Sequence, residues 1–124
     1  MLQNIILVGL GSMLGGISRY LFSDFIKQIL PSSFPFGTFL VNMIGCLGIG
    51  ILSGWLASAS FFTPNHRMLF IVGFCGSFTT FSTFSMDNLN LLINKAYGIF
   101  ALNVGLSISL GLLLTFIGYS ITQR

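Results

Sequence analysis

The sequence predicts an all-α integral membrane protein of four transmembrane helices, the third broken mid-membrane, in a single domain over residues 1–124. Three observations predict it. Only 6% of the 124 residues are charged and mean hydropathy is +0.96, against about 25% charged residues in soluble domains. Apolar runs recur four times with short connections, and at about 20 residues per span the length allows four crossings. Finally, GFCGSFTTFSTFSMDN over residues 73–88 interleaves Gly73, Gly76, Ser77, Thr79, Thr80, Ser82, Thr83 and Ser85 with Phe74, Phe78, Phe81 and Phe84. A lipid-facing helix has no use for so many hydroxyls, so the stretch is expected to line something.

The first span, residues 3–23, carries Gly9, Gly11, Gly15 and Gly16, a set expected to admit a close neighbour helix. Arg19 is its oddity. An Arg at the bilayer centre costs about 2.5–3.5 kcal/mol on the insertion scale, so this one must snorkel or face a wet vestibule. Asp24 and Lys27 mark a solvated helix end, and Pro31, Ser32, Ser33 and Pro35 make the first loop.

The second span, residues 36–60, opens FGTFLVNMIG. Thr38 and Asn42, four apart, share a face. Asn42 suits an interhelical hydrogen bond or a pore-lining donor, and the residues alone leave both open. Trp55 is expected as an interfacial anchor, and His66 in the second loop as solvated.

The third span, residues 68–93, contains the glycine and hydroxyl stretch. Two half-helices meeting near residues 76–80 would leave backbone groups unpaired at membrane depth, tolerated only against protein, an ion or water. A glycine-rich straight helix is the alternative. The fourth span, residues 97–121, carries Asn103 and Ser107, again four apart, as a polar track or a packing face.

Charge narrows the possibilities further. Arg19, Lys27, Arg67, Lys95 and Arg124 give a net +3 but form no basic stripe, which argues against nucleic acid. Arg67 and Arg124 fall on one side of a four-span chain, and Lys27 and Lys95 on the other. With almost no Lys/Arg bias the chain is able to insert both ways, and two copies in opposite orientation would pair as an antiparallel, dual-topology homodimer. Cys46 and Cys75 lie inside apolar segments and are expected as small hydrophobes. No Glu occurs, and Asp24 and Asp87 sit toward span ends. A small dual-topology multidrug exporter therefore lacks an obvious proton-trading carboxylate. One loop His and two separated Asp argue against an enzyme, and a non-transporting assembly subunit is the remaining alternative.

GSMLGGISRY (residues 11–20), FGTFLVNMIG (36–45) and GFCGSFTTFSTFS (73–85), in this order and spacing, resemble the Fluc (CrcB) family of fluoride channels. The resemblance implies an inner-membrane, antiparallel homodimer that passively exports fluoride. It implies that Phe81 and Phe84 present ring edges to the anion, with Asn42 as an adjacent donor, Thr38 and Thr83 on the same pathway, and Asn103 and Ser107 in a fourth-helix polar track. The backbone carbonyls of Gly76 and Thr79 would hold a structural sodium ion on the dimer axis, and Arg19 would face a vestibule. Ser77 stands where the family often has glycine, and Asp87 where Glu is more usual.

Overall fold

The computed structural model describes residues 1–123; Arg124, counted in the charge balance, lies outside the described residues. Among the described residues all regular structure is helical. Its elements are α1 (Leu2–Ile29), α2 (Phe36–Ser58), one turn α3 (Pro64–His66), a π-helical run (Arg67–Cys75), α4 (Gly76–Phe78), α5 (Phe81–Ile93) and α6 (Tyr97–Thr122). Four stretches are long and apolar enough to cross a membrane: α1, α2, residues 64–93 taken together, and α6. This is a multi-pass membrane protein.

Helix α1 continues past the expected residue 23 to Ile29. Nothing stops it before Pro31. Asp24 Oδ2 accepts from Gln28 Nε2 at 2.8 Å, an i,i+4 bond that supports the extra turn. Arg19 accordingly lies well inside a continuous helix.

Glycine decides how closely the helices approach. A methyl at Gly11 would strike the Leu69 carbonyl, and one at Gly15 the Phe74 carbonyl. These two glycines form the seat for the third span. Gly9 and Gly16 have open space beside them, so only half of the expected set packs within the chain. The α2–α6 seam is built likewise. A methyl at Gly50 would meet the Thr115 carbonyl, and one at Gly118 would come within 2.6 Å of the Leu47 carbonyl. Hydroxyls close the seam: Thr115 Oγ1 donates to the Cys46 carbonyl at 3.1 Å and Thr122 Oγ1 to that of Ile51 at 2.9 Å. Small residues plus hydroxyl donors are the usual adhesive where lipid removes the hydrophobic drive for helix association.

His66 has a local job that composition did not reveal. Its Nδ1 accepts from the Thr63 backbone N–H at 3.1 Å in a capping box, and its ring stacks on Phe70 at 6.2 Å. At the other end of the third span, Lys95 takes φ 58°, while Ala96 N–H donates to the Leu91 carbonyl and Lys95 N–H to that of Leu92. This is a Schellman closure with lysine where glycine is usual.

Candidate functional site

The third span leaves helical geometry at two residues. Thr79 (ψ 155°) and Thr80 (φ −148°, ψ 118°) are extended, and helix resumes at Phe81. Extended backbone between helices strands polar groups that must find partners. Asn42 on α2 supplies them. Its Oδ1 accepts from Thr80 N–H at 2.8 Å and its Nδ2 donates to the Thr80 carbonyl at 3.2 Å. Thr80 Oγ1 then caps α5 by accepting from Thr83 N–H at 3.2 Å. Gly45, one turn along α2 from Asn42, makes room for Thr79, whose Cγ2 occupies the space a side chain there would need.

These bonds have a consequence for the carbonyls. In an uninterrupted helix the N–H of Thr80 would close on Gly76 and that of Thr83 on Thr79. Both donors are drawn elsewhere, to Asn42 and to Thr80 Oγ1. The Gly76 and Thr79 carbonyl oxygens are thereby released from the helical ladder.

The four phenylalanines of the stretch divide into two pairs. Phe74 and Phe78 stack with centroids 5.7 Å apart, and Phe78 is only 7% exposed; these two are packing. Phe81 is 80% exposed, with Phe84 half-buried beside it, centroids 5.8 Å apart and planes tilted by 38°. Phe81 and Phe84 border a cavity of about 370 Å³ together with Asn42, Gly76, Thr79 and Ser107.

Two further clefts share lining residues with that cavity or with each other. Thr80 lines both it and a cleft of about 250 Å³ that also holds Arg19, Asp24, Thr38 and Thr83. Thr38 in turn lines a wider cleft of about 700 Å³ with Asp87, Asn90 and Asn94. Thr38 Oγ1 donates to Asp87 Oδ2 at 2.6 Å. Loop one and the turn after α5 both border this wide cleft, so they share one end of the molecule.

Asn103 is placed differently from the other predicted residues. It is 1% exposed and donates from Nδ2 to Asn88 Oδ1 at 3.0 Å, while Asn88 Nδ2 donates to the Phe84 carbonyl at 2.9 Å. Ser107 Oγ donates back to Asn103 Oδ1 at 3.4 Å. The relay ties α6 to the helical turn that bears Phe84. Asn88 was not singled out from the sequence, although its position four residues after Phe84 is the signal that finds it. Thr80 was likewise missed as a cap, and Asp87 lies three residues after Phe84 on the same helix.

Residues 6–119 match the family model described as CrcB-like protein, Camphor Resistance (CrcB). The chain belongs to the CrcB family. Curated relatives agree over nearly the whole length. The chain is 43% identical over 123 residues to a protein of Campylobacter lari, covering 98% of each, and 39% identical over 117 residues to one of Nitratidesulfovibrio vulgaris, covering 94% of each. A third, from Shewanella oneidensis, is 42% identical over 117 residues, with 94% of each covered. All three relatives are named fluoride-specific ion channel FluC. For this CrcB-family chain the coverage reaches every element that builds the site, from Arg19 on α1 to Ser107 on α6.

Proposed function

We propose that the chain is a fluoride-selective channel that lets fluoride leave the cytoplasm down its electrochemical gradient across the inner membrane, relieving fluoride toxicity. The observation that carries this is the cavity where Phe81, Phe84, Asn42 and Ser107 converge beside the helix interruption, in a chain whose relatives bear the fluoride-channel name. Fluoride holds its water tightly, so a pathway must offer substitutes without trapping the ion. The edges of Phe81 and Phe84 carry partial positive charge. Thr83 and the second Nδ2 hydrogen of Asn42 add neutral donors, and the Ser107 hydroxyl would join them by turning its single hydrogen from Asn103 Oδ1, a long bond of 3.4 Å. Thr80 lines both this cavity and the cleft that holds Arg19, and Thr38 lines that cleft and the wider one; a pathway past these residues would keep the Arg19 charge in a vestibule, away from the rings. Asn103 acts by holding Ser107 and the Phe84 turn.

The exposure of Phe81 in the single chain supports a second copy as its cover, and the balanced Lys/Arg distribution supports an antiparallel, dual-topology homodimer. The interruption would then lie mid-membrane, with its counterpart facing it across the two-fold axis. The released Gly76 and Thr79 carbonyls fit a sodium ion, because they are hard oxygen donors lacking their helical partners. When bound there, sodium would neutralise converging carbonyl dipoles. The multidrug-exporter alternative loses ground because Asp87 is bonded to Thr38 at a wide cleft.

The test is ion efflux from liposomes containing the purified protein under a set potential. Rapid fluoride release with little chloride release is expected; equal release of both, or none, would overturn the proposal. Tags on both termini should label both membrane faces, and a single orientation in every copy would remove the antiparallel arrangement.

A further inference from the structure

The clefts of about 700 and 250 Å³ share two residues, Thr38 and Lys27. Lys27 reaches this position because α1 does not end at residue 23. Arg19, Ser23 and Lys27 follow each other at four-residue steps on one face of the continuous helix, and all three line the smaller cleft. Gly37 lets α1 lie close against the start of α2: a methyl there would come within 2.7 Å of Ser23 Oγ and 2.9 Å of the Ser23 carbonyl, with Lys27 Cγ in ordinary contact at 3.5 Å. Among the described residues no carboxylate pairs with the Lys27 ammonium; Asp24, one turn back, has Oδ2 bonded to Gln28.

The charges around the two clefts are Arg19 and Lys27 against Asp24 and Asp87. Lys95 adds a further positive charge in the turn between the lining residues Asn94 and Ala96, so Lys27 tips the mouth from neutral to net positive. Without Lys27 a small anion approaching Thr38 would lose that attraction.

We infer that Lys27 is the anion-collecting residue of this mouth: it raises fluoride concentration at Thr38 and so sets throughput at low salt, while discrimination between halides is left to the cavity beyond. The inference rests on the channel reading proposed above. Lys27 is exposed, so its effect is that of one charge acting through water. At about 8 Å that is roughly a two- to threefold change in local anion concentration, and about sixfold for charge reversal. It fades when the Debye length shrinks from about 30 Å at 0.01 M salt to about 3 Å at 1 M.

The experiment measures fluoride efflux from liposomes at fluoride concentrations below saturation, in about 0.01 M and about 1 M impermeant salt. It compares the wild-type chain with Lys27→Arg, Lys27→Gln and Lys27→Glu. At low salt Lys27→Arg should match wild type, Lys27→Gln should fall two- to threefold and Lys27→Glu about sixfold. All four should converge at high salt, with the fluoride-to-chloride ratio unchanged. The inference is overturned if Lys27→Glu equals wild type at low salt, if its deficit persists at high salt, or if Lys27→Arg falls as far as Lys27→Gln. Failure of the wild-type protein to release fluoride is a separate outcome, which overturns the channel reading itself and the inference with it.

Discussion

The α2–α6 seam and the start of α5 are built from the same kinds of residue, yet they end in opposite states. In the seam, Gly50 and Gly118 bring backbones together, and the hydroxyls of Thr115, Thr122 and Ser58 all close on carbonyls. Around the interruption, Gly45 again admits a close neighbour and Thr80 again caps. Here, however, Phe81, Ser82, Thr83 and Ser85 remain uncovered. Small and hydroxylated residues thus do not by themselves distinguish adhesive from lining. What distinguishes them is whether the chain supplies the partner.

The sharpest way to break this comparison is to overfill the closed region. Gly50→Leu must push a side chain into the Thr115 carbonyl, and overpacking a tight contact costs about 1–3 kcal/mol or more. Loss of monodisperse protein, or a large drop in unfolding temperature in detergent, is expected. Gly16→Leu, with nothing beside it in the chain, should leave the fold of the protomer intact, and any effect would show in the state of assembly measured by size-exclusion chromatography.

Next in size is Asn42→Ala. It strands the buried N–H of Thr80, at a cost of about 1–3 kcal/mol, while the Thr80 carbonyl, at the N-cap of α5, keeps its intrahelical bond. Thermal unfolding should register a loss of about 2 kcal/mol or more, together with loss of fluoride efflux. Stability unchanged by this substitution would mean that the interruption holds itself.

How much of this was legible beforehand differs between the two regions. Four apolar stretches follow from composition and length, since burial in lipid demands them at every position. The interruption was visible only as a tendency, in glycine and hydroxyl content near residues 76–80. Its placement at Thr79 and Thr80 depends on an amide 38 residues earlier in the chain, and no local pattern carries that information. The reach of α1 to Ile29 was hidden because Asp24 and Lys27 look like a solvated end, although charges at a helix terminus do not stop it. Of the four glycines in α1, the sequence could not say that Gly11 and Gly15 face the third span and Gly9 and Gly16 do not. The π-helical run before the interruption had no signal in the residues.

A smaller effect on stability, with a larger one on flux, is expected at Phe81→Ile. A ring 80% exposed in the protomer contributes little to its packing, so its unfolding free energy should stay within about 0.5 kcal/mol. An edge-on aromatic contact is worth about 0.5–1.5 kcal/mol, and its loss from the pathway should slow fluoride efflux by up to about tenfold. Unchanged flux would assign the ring to lipid or to simple packing.

The finest distinction comes from making one substitution in both regions. Thr115→Val in the seam deletes a hydroxyl that donates to the Cys46 and Gly111 carbonyls. Both carbonyls belong to helices whose own ladder bonds remain, and interhelical hydrogen bonds in membranes average about 0.6 kcal/mol. A small loss of stability with normal flux is expected. Thr83→Val removes a hydroxyl that accepts from Thr80 Oγ1 at 3.1 Å and keeps its own hydrogen for whatever enters the cleft. Here stability should barely change, because Thr83 N–H still reaches the Thr80 cap, while efflux should fall. If both variants lost stability alike and conducted alike, the uncovered hydroxyls would be adhesive awaiting a second copy, and the division between seam and lining would collapse.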